Sequence, residues 1–298
     1  MSLWPYLALF ASGLFWGLGL PFGKLALAET NAAHMILLRF LVAGLAAAPG
    51  VLFSSSGRRL MRRPAVLLAG GFYALGFLTQ FEGLARTSVT VAALLVGIMP
   101  ALIAASAAIL GERVGPAAWA GIVATTAGAM LIAGKPGPGV APLGVGLCLL
   151  SLPLFLGWLH AARVASMGAS PVHTACASIV VAALVLLVLV SLMHGSPRLS
   201  LPPSAWVGIV GQGLLSTVAA TLCWQIGAPK VSTAAAGVFI NVEPVVGSIL
   251  GVALFHDRPT WLAVAGGLLI LGGSLTVVLC ERRRSDGVRA AEDAPMPA

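Results

Sequence analysis

The residue in this chain best placed to do chemistry is Glu243. It lies near the middle of an apolar run long enough to cross a membrane, beside Asn241 and immediately before Pro244. Inserting an ionisable group at that depth costs about 2.5–3.5 kcal/mol, so an acid there marks by default a ligand pathway or a proton relay. Pro244 has no N–H to return four residues back, which frees the carbonyl of Ile240. Asn241 and Glu243 flank that defect and could use it with a substrate amine or a proton. The alternative is a packing role, with the carboxyl hydrogen-bonded to a neighbouring helix. Met99-Pro100 is the matching position about 145 residues earlier, with Met where the later copy has Glu. The pair offers an asymmetric site: a freed carbonyl and soft apolar surface on one side, a carboxyl on the other. Pro100 can equally be a packing kink.

A second set is aromatic and amide. Tyr73, Phe77, Gln80 and Phe81 recur at i, i+4, i+7 and i+8, one face of a helix. Such a stripe suits the apolar or aromatic part of a ligand. Glu82 follows it and is spaced to pair with Arg86. Trp16, Trp158 and Trp224 (with Gln225) fall inside other apolar runs, where a tryptophan either lines a cavity or packs. Trp119, Trp206 and Trp261 lie nearer the run ends, the position of interfacial belt residues. His160 is either a proton carrier or a hydrogen-bonded interfacial side chain. Lys24 and Arg39 fall toward one membrane face near Glu29 and His34. A charged cluster or snorkelling to the interface accounts for them; attraction of a substrate carboxylate is the functional alternative. Cys148, Cys176, Cys223 and Cys280 show no CxxC spacing and read as packing residues. Without clustered His or Cys no metal is expected, and without a Walker loop no nucleotide. No cofactor is expected.

The elements that must position these residues follow from composition. Charged residues are 9% of the 298, against about 25% in soluble domains. Mean hydropathy is +1.01. Apolar runs of about 20 residues, the length that crosses a ~30 Å hydrocarbon core as a helix, recur from end to end. This predicts an all-α polytopic membrane protein. Gly, Pro and charged breaks divide it into ten spans, near 6–28, 33–53, 64–85, 88–110, 115–134, 142–165, 171–193, 203–228, 232–255 and 259–280. The first has no basic segment before it and is too long for a signal sequence, so it reads as a retained span. Residues 281–298 read as a disordered tail.

The net charge of +8 does not point to nucleic acid, because the arginines cluster beside spans, as at 58–63 and 282–284. Juxtamembrane arginines are a topology signal and a contact for anionic lipids. With the N-terminus inside, the inner loops and tail collect Arg58, Arg59, Arg62, Arg63, Arg113, Arg163, Lys230 and the arginines from 282 to 289. The outer side keeps Lys24, Arg86, Lys135, Arg198 and Arg258. Both termini are therefore expected in the cytoplasm.

The chain also repeats itself. Thr87-Ser88, Met99-Pro100, Gly111-Glu112-Arg113, Gly121 and Gly128 are answered by Val231-Ser232, Glu243-Pro244, His256-Asp257-Arg258, Gly266 and Gly273. Gly111 has no glycine at the matching place, where Phe255 or His256 stands. His256 there could alter an outer gate or be an interfacial residue. Five spans per copy is odd, so the second copy must enter from the opposite side. An inverted repeat of that kind builds alternating access around a midplane site. Residues 1–140 and 141–280 are the two expected five-helix units. Gly13-xxx-Gly17 and Gly247-xxx-Gly251 allow close helix crossings.

With Phe15-Trp16-Gly17, Leu38-Arg39-Phe40, the two prolines and the acid-Arg pairs in this order, the chain resembles the drug/metabolite transporter superfamily, EamA type. Within it the chain is similar to the bacterial exporters of amino acids, including aromatic ones. The resemblance implies ten helices in two inverted repeats, a place in the bacterial inner membrane and no enzymatic activity. It also implies a cavity lined by spans 1, 3, 4, 6, 8 and 9, where the polar and aromatic residues above fall. The expected partners are a small-molecule substrate, membrane lipids and, if transport is proton-coupled, protons. A multidrug exporter of cationic lipophiles, with Glu243 as countercharge, is the nearest alternative. An intramembrane lipid-modifying enzyme would need a metal motif or nucleophile-His pair that the spans lack.

Overall fold

The computed structural model describes residues 3–292 apart from 110, 112–113, 135–138, 232–235 and 237–238. Among the described residues the chain is all helix, with no strand. The helices are α1 (Trp4–Leu27), α2 (Ala32–Leu52), the short α3 (Ser55–Leu60), α4 (Pro64–Leu84), α5 (Val89–Val96) and α6 (Met99–Ile109). They continue with α7 (Pro116–Gly134), α8 (Pro142–Ser166), α9 (Pro171–His194) and α10 (Pro203–Gly211). A π-helical stretch, Gln212–Ala219, joins α10 to α11 (Ala220–Gly227). The last two are α12 (Val242–Phe255) and α13 (Trp261–Glu292). Eight helical stretches are long and apolar enough to cross a membrane, and 116–132 and 242–255 are shorter apolar helices.

Local chemistry explains the starts. Pro64, Pro142, Pro171 and Pro203 open their helices, where the missing N–H costs nothing and the fixed φ already suits the helix. Asn31, Ser54 and Ser88 cap α2, α3 and α5, their side chains accepting from the backbone N–H three residues on. Gly111 and His256 both take left-handed backbone, at φ of 89° and 52°. His256 follows α12 directly and is its C-cap. The partner of Gly111 in the second copy is thus His256, a residue type that tolerates this region better than most.

Three expectations change. The span read as 88–110 is two helices, broken at Gly97–Ile98. The span read as 232–255 is likewise interrupted, by a turn at Asn241 between helical Phe239-Ile240 and α12. Hydropathy is continuous through both places, but each break stands just ahead of a proline, whose ring crowds the preceding turn. Pro21, Pro49 and Pro153 sit inside unbroken helices, so a proline alone does not set the break. Third, α13 runs on to Glu292, so the tail expected to be disordered from 281 begins as helix. Its Arg, Ala and Glu are good helix formers, and no proline intervenes before Pro295. Glu112, Arg113, Ser232 and Lys135 lie outside the described residues.

Packing follows a reciprocal scheme. α4 lies along α8, and α1 lies along the α10–π–α11 rod. α2 pairs with α9, α5 with α12, and α7 with α13. The glycines set how close these helices come. A Cβ on Gly121 would stand 2.6 Å from the carbonyl oxygen of Gly273, and one on Gly266 would stand 2.6 Å from that of Gly128. On the other side of the molecule a Cβ on Gly17 would meet Val246 Cβ at 2.7 Å, and one on Gly247 would meet Ala93 Cβ at 2.7 Å. In lipid, where apolar burial alone does not draw helices together, such close approach supplies the dispersion that does.

Gly121→Leu is therefore expected to force α7 off α13 and cost about 1–3 kcal/mol. Gly71→Leu, at a helix position with open space around it, is the control. Thermal unfolding of the detergent-solubilised proteins should lower the midpoint for the first and not the second; equal midpoints would rule out close packing at this crossing.

Candidate functional site

A single pocket gathers most of the residues singled out by type. Trp16 reaches it from α1, and Tyr73, Phe77 and Gln80 from α4. Met99 comes from α6, Trp158 from α8, Trp224 from α11 and Glu243 from α12. Val96, Phe155, Leu159 and Ile240 complete the wall. Sequence reasoning passed over these four for lack of a polar or indole group. Helical spacing was the available signal for two of them: Phe155 stands three residues before Trp158 and four before Leu159.

The rings interlock. Tyr73 stacks on Trp158 with centroids 4.5 Å apart and planes 12° apart. Phe77 meets Tyr73 and Phe155 edge-on, each at 4.9 Å. Trp16 lies 5.4 Å from Trp224 and 6.4 Å from Trp158. Such offset and edge contacts are the favoured arrangements of aromatic quadrupoles. The Tyr73 hydroxyl is held by Thr221 Oγ1 at 2.8 Å, so α4 and α11 are tied at this point.

The other candidates lie beside the pocket or away from it. Pro100 is buried next to Met99. Pro244 is buried and sits against Gly97, with its Cγ 3.5 Å from where a Cβ would project. Each break is thus packed on the other. The Gly97 carbonyl accepts from Ser274 Oγ at 2.5 Å, which repairs one of the groups the first break exposes. Asn241 occupies the second break and does not line the pocket; both polar atoms of its amide are buried without a hydrogen-bond partner among the described residues. His160 is exposed on α8, with Ser106 Oγ 3.4 Å from its Nε2, away from the pocket wall.

The expected cluster of Lys24, Arg39, Glu29 and His34 does not form. Lys24 Nζ donates to the carbonyls of Leu84 and Thr87, at 3.1 and 2.8 Å. Asp257 accepts from Thr90 N at 2.8 Å, at the start of α5. Arg39 neither snorkels nor reaches the interface: it is 1% exposed. Its Nε donates to Thr217 Oγ1 at 2.7 Å, and its Cζ lies 3.9 Å from the Phe77 ring centroid. A guanidinium is weakly hydrated and planar, which lets aromatic faces cover it where an ammonium would keep its water. Arg39 and Glu243 lie close enough to interact electrostatically. Glu82 and Arg86 do form their i, i+4 ion pair, at 2.5 Å on the surface.

Chemically the described lining offers aromatic faces, one amide and one carboxyl, a surface for binding. Among the described residues no group of three or more His, Cys, Asp or Glu could hold a metal, and the cysteines are free. Comparison with known proteins agrees in kind. The model of the EamA-like transporter family matches residues 3–134 and again 142–279. The chain belongs to that family. A protein of Bacillus subtilis (strain 168) described as permease-like, YdzE, is 33% identical over 66 residues, covering 22% of this chain and 85% of YdzE. A solved crystal structure superposes with a TM-score of 0.68 over 94% of this chain and 99% of its own, at 22% identity, a likeness of fold. This EamA-like protein is therefore a multi-pass membrane transporter.

Thr217→Val, which removes the acceptor for the buried Arg39 Nε, is expected to cost about 1.5–3 kcal/mol, the range for hydrogen bonds to charged groups. Thr217→Ser should restore most of it. Unfolding midpoints of the two purified variants check this; a Val variant as stable as the wild type would show that the contact contributes nothing.

Proposed function

We propose that this transporter is a secondary exporter of small amphipathic metabolites, above all neutral and aromatic amino acids, working by alternating access around the pocket between the two broken helices. The observation that carries the reading is Glu243 on the wall of an aromatic pocket at the level of both helix breaks. A carboxyl there meets a substrate amine while the rings of Trp16, Tyr73, Phe77, Trp158 and Trp224 take its apolar body. Glu243 is also the candidate for proton coupling, and Asn241, Met99, Pro100 and Pro244 shape the breaks beside it. His160, exposed and outside the wall, is a weaker candidate for the same role.

The architecture we infer is ten spans in two inverted repeats, 1–140 and 141–280. Support comes from the two successive family matches, the reciprocal helix pairing and the matched glycines of α7 and α13. The arginine count supports both termini in the cytoplasm of a bacterial inner membrane.

A second reading has an observation of its own. Among the described lining residues Glu243 is the one charged side chain, and an acid among aromatic faces suits an organic cation. Export of cationic lipophiles would use the same pocket. Competition of neutral zwitterions against cationic dyes separates the two.

Glu243→Gln keeps the shape and hydrogen-bonding capacity of the side chain but cannot carry a proton. In proteoliposomes with an imposed pH gradient, the variant should lose gradient-driven accumulation and keep downhill flux of the same substrate. Gradient-driven accumulation equal to that of the wild type would remove Glu243 as the coupling acid.

A further inference from the structure

The Arg39 guanidinium is 1% exposed, and among the described residues no carboxylate lies within ion-pair distance of it. Its Nε donates to Thr217 Oγ1 at 2.7 Å, while Nη1 is buried with no hydrogen-bond partner among the described residues. Rings cover the charge: Cζ stands 3.9 Å from the centroid of Phe77, 5.4 Å from that of Phe81 and 5.5 Å from that of Phe40. Phe77 is itself a wall of the pocket. Its neighbour Tyr73 stacks on Trp158. Trp158, also a wall, is 5% exposed and carries a second buried donor without a partner, Nε1.

Buried polar groups are normally hydrogen-bonded, so each exception asks for a reason. Here one exception, Trp158 Nε1, belongs to a side chain that lines the pocket, and a second, Arg39 Nη1, lies behind the lining ring of Phe77; both are donors. An ammonium group cannot satisfy them, because it too only donates. A carboxylate can. The carboxyl of the pocket, Glu243, comes from a different helix, so the site has two unlike poles: an acid on α12, and a wall of α4 and α8 backed by the Arg39 charge.

We infer that the α4–α8 wall is a carboxylate subsite, so that the transported molecule is a zwitterion with its ammonium toward Glu243 and its carboxylate toward Trp158 Nε1 and the Arg39 charge behind Phe77. The inference rests on the transporter reading above and names its substrate class. Trp158 is the contact; Arg39 is a positioning residue, acting through the Phe77 ring. An amine without the acid leaves Trp158 Nε1 unpaired and brings no counter-charge toward Arg39. A site built to hydrogen-bond a group rejects analogues that lack it far more steeply than a hydrophobic wall senses a missing methylene. An acid without the amine faces Glu243 with nothing to offset the like charge.

The test is binding to the purified full-length protein, read by intrinsic tryptophan fluorescence. The probes are L-phenylalanine, L-phenylalaninamide and 3-phenylpropionate. Wild type should prefer phenylalanine over either of the others by about tenfold or more. Arg39→Gln and Trp158→Phe should each bring the acid-to-amide ratio toward one, and Arg39→Lys, which keeps the charge, should retain more of the preference than Arg39→Gln. A merely structural role would weaken all three probes together and leave the ratio unmoved. Should Arg39→Gln fail to fold, Trp158→Phe, which keeps the stacked ring, decides alone. Wild type that binds the amide as tightly as the acid, or binds none of the probes, overturns the inference, as does an unmoved ratio in the variants. If phenylalanine still crosses proteoliposomes in that case, the transporter reading stands and only the subsite falls. If no amino acid crosses, both fall.

Discussion

A hydrocarbon interior offers no partner to a backbone N–H or C=O, so irregular backbone at membrane depth survives only where protein or a cavity surrounds it. This chain breaks two of its apolar stretches, at Gly97–Ile98 and at Asn241, and everything around the site follows from how those breaks are sealed. Ser274 donates to the Gly97 carbonyl, and Pro244 of the second break packs on Gly97 of the first. The residues next to each break, Val96 and Met99 on one side and Ile240 and Glu243 on the other, are walls of the same pocket. The pocket is the place the breaks require, and the breaks are what set its chemistry among apolar helices.

The charges obey the same constraint in another form. An unpaired ion at this depth costs several kcal/mol, and the structure meets that cost for Arg39 with aromatic faces and one hydroxyl instead of a carboxylate. Glu243 lies near enough to interact with it electrostatically. Basic residue and acid come from different halves of the chain, on α2 and α12.

Much of this was legible beforehand, and the failures have physical causes. Apolar run length locates helices because the bilayer sets one length for all of them, and the starts at Pro64, Pro142, Pro171 and Pro203 carry their own signal. The aromatic and acidic members of the pocket were visible because such side chains are expensive or unusual inside a span. Leu159 and Phe155 were not, since an apolar residue looks the same whether it faces lipid or ligand. Arg39 was misread because its neighbours in sequence, not in space, suggested an interfacial cluster; the rings that cover it, Phe77 and Phe81, sit on another helix. The helix breaks escaped hydropathy altogether, because backbone pairing leaves no trace in composition beyond the proline that follows.

We propose that small molecules cross the membrane through the pocket between the two breaks. Uptake of a panel of radiolabelled amino acids into liposomes containing the purified protein tests it most directly, with protein-free liposomes as background and a Trp16→Ala, Trp224→Ala double variant alongside. Saturable flux of phenylalanine, tyrosine or tryptophan is expected, lowered about tenfold or more in the double variant, the scale of losing aromatic contacts worth over 1.4 kcal/mol. Flux of cationic lipophiles alone, or amino acid flux indifferent to the two tryptophans, would contradict it.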